Sequence, residues 1–124
     1  MIDISDNNIL SMHRGDDVCL RVAVQANEFG DSYGLGDDDK VYVGVMEPRG
    51  RFEGALIRKV FGKEDMDEDG NVVVKLASSD TISLLPGTYY IQIKLRQKIG
   101  ESESGEALYD VSTILPKTKL ILLD

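Results

Sequence analysis

The sequence predicts an all-β fold, a two-layered sandwich of about seven to nine mostly antiparallel strands, and three observations carry that prediction. After the Pro86-Gly87 turn, apolar Tyr89, Ile91 and Ile93 alternate with more polar neighbours, as in a strand with one buried face. Similar alternating segments recur along the chain, with turn signals at the spacing typical of a sandwich or a barrel. Helical periodicity, by contrast, is nearly absent.

Eight segments are predicted as strands, and most have one apolar face. They cover residues 9–12, 18–24, 41–46, 55–61, 72–76, 89–95, 108–114 and 119–123. In the second, third and fifth of these, valine or leucine recurs at every other position, which is the period of a half-buried strand. The segment at 55–61 is mixed on both faces, so we expect it at the edge of a sheet.

The segments between the strands are rich in glycine and acidic residues. The sequence predicts a flexible loop at 27–39, a turn at 47–50, an acidic loop with an Asp-Gly turn at 62–71 and a polar hairpin loop at 100–105. Only the stretch between Ser79 and Leu85 looks helical: Ser79 or Asp80 can cap about one turn, and Pro86 stops it. Neither a repeat nor a domain boundary is visible, so residues 1–124 are predicted to form a single β-sandwich domain.

Length and charge exclude several functional classes. The chain has 124 residues, 42% of them hydrophobic, which is enough for the core of one domain. Its formal net charge is −8 and the sequence has no lysine or arginine cluster, so neither nucleic acid nor an anionic membrane is expected as a partner. The N-terminal residues lack the basic and apolar regions of a signal peptide, and no apolar run approaches the length of a membrane span. We therefore expect synthesis in the cytosol.

Catalytic chemistry has few candidate residues. The only histidine is His13 and the only cysteine is Cys19, so an intramolecular disulfide is impossible and a zinc site lacks ligands. No serine lies in a nucleophile-elbow context, and no glycine-rich phosphate loop is present. We predict that the protein is not an enzyme and holds no cofactor, with calcium as the one possibility left open.

The acidic loop resembles the start of a calcium-binding loop. Asp65, Asp67 and Asp69 occupy alternate positions and Gly70 follows, so three carboxylates can converge on a hard cation while the glycine permits a sharp bend. The pattern fails seven positions after Asp69, where Leu76 replaces the bidentate glutamate. An Asp-Gly reverse turn after an acidic loop explains the same residues, so both interpretations stay open.

Two tyrosines are candidate surface residues. Tyr42 and Tyr90 lie on the outward-leaning faces of their predicted strands. Exposed aromatic rings of this kind serve as platforms in carbohydrate-binding modules, but cross-strand packing or a protein interface explains them equally well. We predict the face that bears Tyr42 and Tyr90 as the interaction surface.

Two further motifs have simpler interpretations. The acidic run at 37–39 is predicted to be a solvated loop. Arg14-Gly15-Asp16 spells the integrin-binding tripeptide, but it lies in a turn that enters a strand. Gly15 is therefore predicted to serve the conformation of the backbone rather than adhesion.

The helical turn and the strand after it resemble the corner that precedes strand F in immunoglobulin-like and fibronectin-type-III-like sandwiches. In those folds a tyrosine at the start of the strand donates a hydrogen bond back to the corner. Tyr89 shares the inward phase of Ile91 and Ile93, so the resemblance implies that Tyr89, not Tyr90, is the corner tyrosine. It implies an immunoglobulin-like β-sandwich with one short helical turn near Ser79–Leu85.

The order of motifs along the chain resembles small tail or baseplate proteins of phages and prophages of Gram-positive bacteria. The motifs are MHRGDDVCLRV at 12–22, VYVGV at 41–45, DGNVVVKL at 69–76, LPGTYYIQIKL at 85–95 and the final LIL at 120–122. They are similar to those of the N-terminal domain of the baseplate upper protein, although this chain has a single proline in the LPG motif.

This resemblance implies a structural role. The partners would be other tail or baseplate proteins, with a homo-oligomer as a further option, and the location would be the bacterial cytoplasm during assembly and then the virion tail. The alternative from a different class is a carbohydrate- or surface-binding module, which calcium could stabilise.

Overall fold

A computed structural model describes residues 3–4, 9–23 and 35–124, with residues 3 and 4 described by their backbone only. This part of the chain is mostly β, with almost no helix. The strands are β1 (Asp3–Ile4), β2 (Leu10–His13), β3 (Val18–Ala23), β4 (Lys40–Met46), β5 (Ile57–Phe61), β6 (Asn71–Leu76), β7 (Gly87–Glu101) and β8 (Ala107–Leu123). One short helix, α1 (Ser78–Thr81), lies between β6 and β7, and 3-10 turns cover Phe52–Gly54 and Lys63–Asp65. None of these helical segments has the length and apolar character needed to cross a membrane.

The strands form two sheets. The large sheet has the order β1-β2-β8-β7-β4-β5, in which β1 contributes only two residues, and the small sheet pairs β3 with β6. All neighbours are antiparallel except β2 and β8, which run parallel from the Leu10–Leu120 pair to the His13–Leu123 pair.

Both sheets contribute to one hydrophobic core. The small sheet provides alternate residues of β3 and β6, and the large sheet provides the inward residues of β4, β7 and β8. The fully buried members include Val41, Val43, Val45, Val72, Val74, Ile91, Ile93 and Leu120. Because successive side chains of a strand point to opposite faces, the even-numbered residues of β4 and β7 lie on the outer face of the large sheet. We call that surface the outer face.

Most predicted elements are present with shifted ends. The segment at 55–61 forms β5 at the edge of the large sheet, as predicted from its mixed faces. The predicted helical turn is α1, which begins at Ser78 and is shorter than expected. The backbone N–H of Ser78 donates to Oδ1 of Asp17, and that of Ala77 donates to Oδ2 of Asp80. The N-cap residue is therefore Ala77 rather than Ser79 or Asp80, and Asp80, at the third helical position, reaches back to the N–H of that residue.

The two strands predicted at 108–114 and 119–123 are a single strand, β8, so that prediction was wrong. Pro116, which lacks a donor for the ladder, lies between the two predicted segments. The structure accommodates it in an irregular stretch: Ile93 pairs with Leu115 and Ile91 pairs with Thr118, so the ladder skips Pro116 and its neighbour. The strand therefore continues past the proline.

The β7–β8 hairpin extends well beyond the rest of the large sheet. Pairing between β4 and β7 ends at Lys40 and Arg96, and β2 contacts β8 only from Leu120 onwards. Among the described residues, 97–101 and 107–111 therefore pair only with each other. We call residues 97–111 the arm and its connecting residues 101–106 the tip. The predicted polar hairpin loop at 100–105 coincides with this tip.

The corner before β7 has the predicted tyrosine hydrogen bond. The hydroxyl of Tyr89 donates to the carbonyl oxygen of Leu85 at 2.6 Å, and Tyr89 is 9% exposed, whereas Tyr90 leans outward. The same corner packs on the turn before β3, where Gly15 has φ +84° and its N–H donates to Oγ1 of Thr81 at 2.9 Å. A positive φ favours glycine, which confirms the conformational role predicted for Gly15.

Candidate functional site

The outer face of the large sheet brings together most of the exposed aromatic and basic side chains of the strands. Tyr42 of β4 pairs with Lys94 of β7 and with Val60 of β5. On the other side of β7, Arg96 pairs with Val111 of β8. Four strands therefore place their outward side chains in adjacent rows of one continuous surface. The predicted surface residue Tyr42 lies in the middle of it.

This face is basic although the protein is acidic. Its strand positions carry six cationic residues: Lys40, Arg58, Lys94, Arg96, Lys98 and Lys119. No outward strand position of the described β4, β5, β7 and β8 holds an aspartate or glutamate. The local potential is therefore opposite in sign to the net charge of −8. Sequence reasoning missed this cluster because its members come from four separate strands and meet only through pairing.

Arg96 is held between two aromatic rings. Its guanidinium carbon lies 4.3 Å from the ring centroid of Tyr109 and 5.7 Å from that of Tyr42. The Nε atom is buried and has no hydrogen-bond partner. Cation–π contact with both rings fixes the guanidinium and shields part of it from water. Arg96 is thus oriented, partly dehydrated and without an ion-pair partner among the described residues.

A second aromatic contact covers the neighbouring part of the face. The connection after β4 folds back, so that the ring of Phe52 lies over Gly44; a Cβ atom on Gly44 would come within 2.9 Å of that ring. Lys94 Nζ lies 4.8 Å from the Phe52 ring centroid. Only the absence of a side chain at position 44 allows this close approach.

A shallow pocket lies beside these rings. It has a volume of about 190 Å³ and is lined by Tyr42, Gly44, Phe52, Arg58 and Val60, among others. Small-molecule sites usually measure about 300–1,000 Å³, so this pocket is small for a free ligand. It suits a single side chain or a terminal group of a larger partner.

Tyr90 shares the outer face with Tyr42 but lies apart from the pocket. It pairs with Met46 on one side and with Lys119 on the other. Met46 is fully buried although it is an even-numbered residue of β4. The two predicted interface tyrosines thus lie on one face, as their phase predicted. Their role in an interface stays a prediction.

At the base of the arm, Lys98 marks the edge of the outer face. Its Nζ lies 3.3 Å from Oε1 of Glu101 and 3.5 Å from Oδ2 of Asp38. The hydrogen bond to Glu101, followed by the charge of Asp38, raises the pKa of Lys98 above its ordinary value. Ion pairs within the molecule therefore offset the charge of Lys98. Lys94 and Arg96, by contrast, form no ion pair among the described residues.

Asp39 has a structural role that the sequence did not indicate. The acidic run at 37–39 was predicted to be solvated, but Asp39 is only 3% exposed. One carboxylate oxygen accepts the N–H of Gly36, and the other accepts the N–H of Lys98 at 2.9 Å. Asp39 thereby ties the loop before β4 to the first residues of the arm. Residues 27–34 of the predicted loop lie outside the described part of the chain.

Asp65, Asp67 and Asp69 lie in one loop, but local bonds occupy two of the three carboxylates. Asp65 accepts the N–H of Gly62, and Asp67 Oδ1 accepts the N–H groups of Asp69 and Asn71. These backbone bonds, above all that from Asn71, lower the pKa of Asp67.

No three His, Cys, Asp or Glu side chains of the described residues form a group that could hold a metal. Calcium binding stays a prediction. A calcium titration followed by melting temperature tests this prediction. A calcium site should raise Tm at millimolar calcium, and an unchanged Tm would show that the prediction is wrong.

The Arg14-Gly15-Asp16 turn is part of the packed corner. Arg14 pairs with Asp124 through Nη2 and Oδ1 at 2.9 Å, and its other terminal nitrogen lies 3.4 Å from the carbonyl oxygen of Leu84. The guanidinium is thus engaged within the molecule. His13 and Cys19 lie on strands of different sheets.

No protein-family model, curated protein or solved structure matches this chain. A relationship to phage tail proteins stays a prediction from the sequence motifs.

Proposed function

We propose that this chain is an assembly module, an immunoglobulin-like sandwich that acts by protein–protein contact as a structural component of a phage or prophage tail or baseplate. The arm is the observation that carries the assembly role. Among the described residues its two strands pair only with each other, apart from the N–H of Lys98 that Asp39 accepts, and Ile99, Leu108 and Val111 are 65%, 45% and 58% exposed. Exposed apolar side chains on unpaired strands are a template for pairing with another chain.

The strand order supports the immunoglobulin-like part of the proposal. Three features fit that architecture: β2 runs parallel to the last strand, β8, the second sheet has two strands, and a tyrosine corner precedes β7. The tail or baseplate context is supported by the motif order described above. In that context the protein would be in the bacterial cytoplasm during assembly and in the virion afterwards.

Assembly is tested by co-expression with the products of the genes that flank the coding sequence. We expect a complex with at least one of these products, isolated through a tag on this chain and sized by light scattering. Leu108→Lys with Val111→Lys should weaken it, because charged residues on an open edge oppose strand pairing.

Ile82→Lys is the matched control, since Ile82 is 57% exposed but lies at the corner, at the opposite end of β7 from the arm. A chain that binds none of these products and does not self-associate would overturn the proposal. Tail-fibre, tape-measure or lysis genes alongside would support the phage context, and a polysaccharide-utilisation neighbourhood would overturn it.

The second candidate function is a carbohydrate- or surface-binding module. The pocket between the rings of Tyr42 and Phe52 favours it, because sugar rings stack on aromatic faces. Binding on a glycan array that is lost in Tyr42→Ala or Tyr90→Ala, with assembly unchanged, would favour this function over the first.

A further inference from the structure

We propose that the outer face receives the acidic tip of the arm from a second copy of the chain. This inference rests on the proposed assembly function and names the partner and both contact surfaces. It follows from three observations: Lys94 and Arg96 of the outer face form no ion pair among the described residues, Glu103 and Glu106 of the tip form none there either, and the arm carries these carboxylates away from those two cations of the same molecule.

The outer face holds two cations in place without neutralising them. Arg96 stacks between Tyr42 and Tyr109, and Lys94 stacks on Phe52. No ion pair within the described residues includes either cation. Stacking restricts both side chains and removes water from part of the guanidinium. Less conformational freedom is therefore lost when an anion binds. A planar guanidinium presents a fork of N–H donors that fits a carboxylate.

The tip offers the complementary chemistry. Glu101, Glu103 and Glu106 lie within six residues, and all are exposed. Glu101 pairs with Lys98, whereas Glu103 and Glu106 form no ion pair among the described residues. The backbone of the tip is fixed, because the N–H of Ser102 donates to the carbonyl oxygen of Glu106 at 2.7 Å. The tip is thus a hydrogen-bonded turn that carries exposed carboxylates at the end of the arm.

Within one molecule the tip reaches only the edge of its own outer face, where Glu101 pairs with Lys98, and it does not reach Lys94 or Arg96. The arm continues β7 and β8, so the tip projects along the strands, away from the face formed by the same strands. The contact must therefore be intermolecular. It also joins two different surfaces, so it is head-to-tail, and repeated contacts close into a ring or extend as a row.

Apolar groups can close around the charged contact. Val60 borders the pocket of the outer face and is 58% exposed, while Ile99 and Leu108 flank the tip. Burial of these side chains would exclude water from the carboxylate–guanidinium pairs and strengthen them. Copies with a net charge of −8 repel one another at long range, so the contact depends on this local match.

The test is self-association of the full chain, measured by light scattering and sedimentation in about 50 mM and about 500 mM NaCl, where screening differs strongly. Lys94→Glu reverses the sign of one stacked charge of the face, and Glu103→Lys reverses the sign of one charge of the tip. Each should weaken self-association about tenfold or more, because like charges then meet. An equal mixture of the two variants should regain it, since every tip then finds a face of opposite sign.

Two controls carry the same charge changes elsewhere. Lys75→Glu alters an exposed cation of the small sheet, and Glu68→Lys alters an exposed carboxylate of the acidic loop. Both should associate like the original chain. Lys94→Gln replaces Lys94→Glu if the reversed variant does not fold, as judged by circular dichroism.

The outcomes separate the two proposals. If neither Lys94→Glu nor Glu103→Lys changes self-association, or if only Glu68→Lys weakens it, this inference is wrong. The proposed assembly function is not affected by that result. A chain that stays monomeric at millimolar concentration in low salt also overturns the inference. The assembly function is then decided by co-expression with the flanking gene products.

Discussion

Replacing Tyr89 by phenylalanine removes one hydroxyl from the corner and leaves the packing of the ring intact. That hydroxyl donates a 2.6 Å hydrogen bond to the carbonyl oxygen of Leu85. A net intramolecular hydrogen bond is worth about 1 kcal/mol. Leu85 is 76% exposed, so water can solvate its carbonyl in the variant, and no further penalty for a buried unpaired acceptor is expected. We expect Tyr89→Phe to lose about 1 kcal/mol of unfolding free energy, which lowers Tm by about 4 °C for a chain of this size.

The neighbouring tyrosine provides the control. Tyr90 is half-buried, and its hydroxyl makes no hydrogen bond to the described residues, so Tyr90→Phe should change the unfolding free energy by less than about 0.5 kcal/mol. Urea denaturation of both variants, with thermal melts alongside, measures the difference. Equal stabilities of the two variants would refute the assignment of Tyr89 as the corner tyrosine.

Three further predictions concern the loops and the outer face. Asp39→Ala leaves two backbone N–H groups without acceptors and should cost about 3 kcal/mol in urea denaturation, with faster hydrogen exchange at the amide of Lys98. Gly44→Ala should cost about 1–3 kcal/mol through the clash with the ring above it, whereas Gly54→Ala, with open space around its Cβ, should cost nothing measurable. Asp67→Asn should lower Tm more at pH 7 than near pH 2: the folded pKa lies below the ordinary 3.8, so the carboxylate stabilises the fold above that pH and this stabilisation is lost as pH falls through the folded value. Equal Tm losses at both pH values would contradict the last of these.

The sequence predicted the phase of the strands because phase is local. Alternation over residues 89–95 separated buried Tyr89 from outward Tyr90, and the mixed faces of 55–61 indicated an edge strand. The features that the sequence did not indicate depend on contacts between segments that are distant along the chain. Two strands were predicted at 108–114 and 119–123, but an irregularity in pairing with β7 accommodates Pro116 between them and the strand continues.

The candidate site was predicted only in part. Tyr42 was placed on an interaction face by its phase. The basic character of that face was missed, since Arg96 and Lys94 acquire their aromatic partners through strand register and through a connection that folds back over Gly44. Asp39 was misread because, within an acidic run, nothing local distinguishes the carboxylate that accepts backbone N–H groups from its solvated neighbours.

The parallel pairing of β2 with β8 has a mechanical consequence. Tension applied between Leu10 and Leu123 pulls the start of one strand and the end of its parallel neighbour in opposite directions. The four register pairs from Leu10–Leu120 to His13–Leu123, and the 2.7 Å bond from the N–H of Arg14 to the carbonyl oxygen of Leu123, then bear the load together in shear. Antiparallel strands pulled at one end would open one bond at a time. A chain under stretch is therefore held first by this short ladder, before the core is exposed.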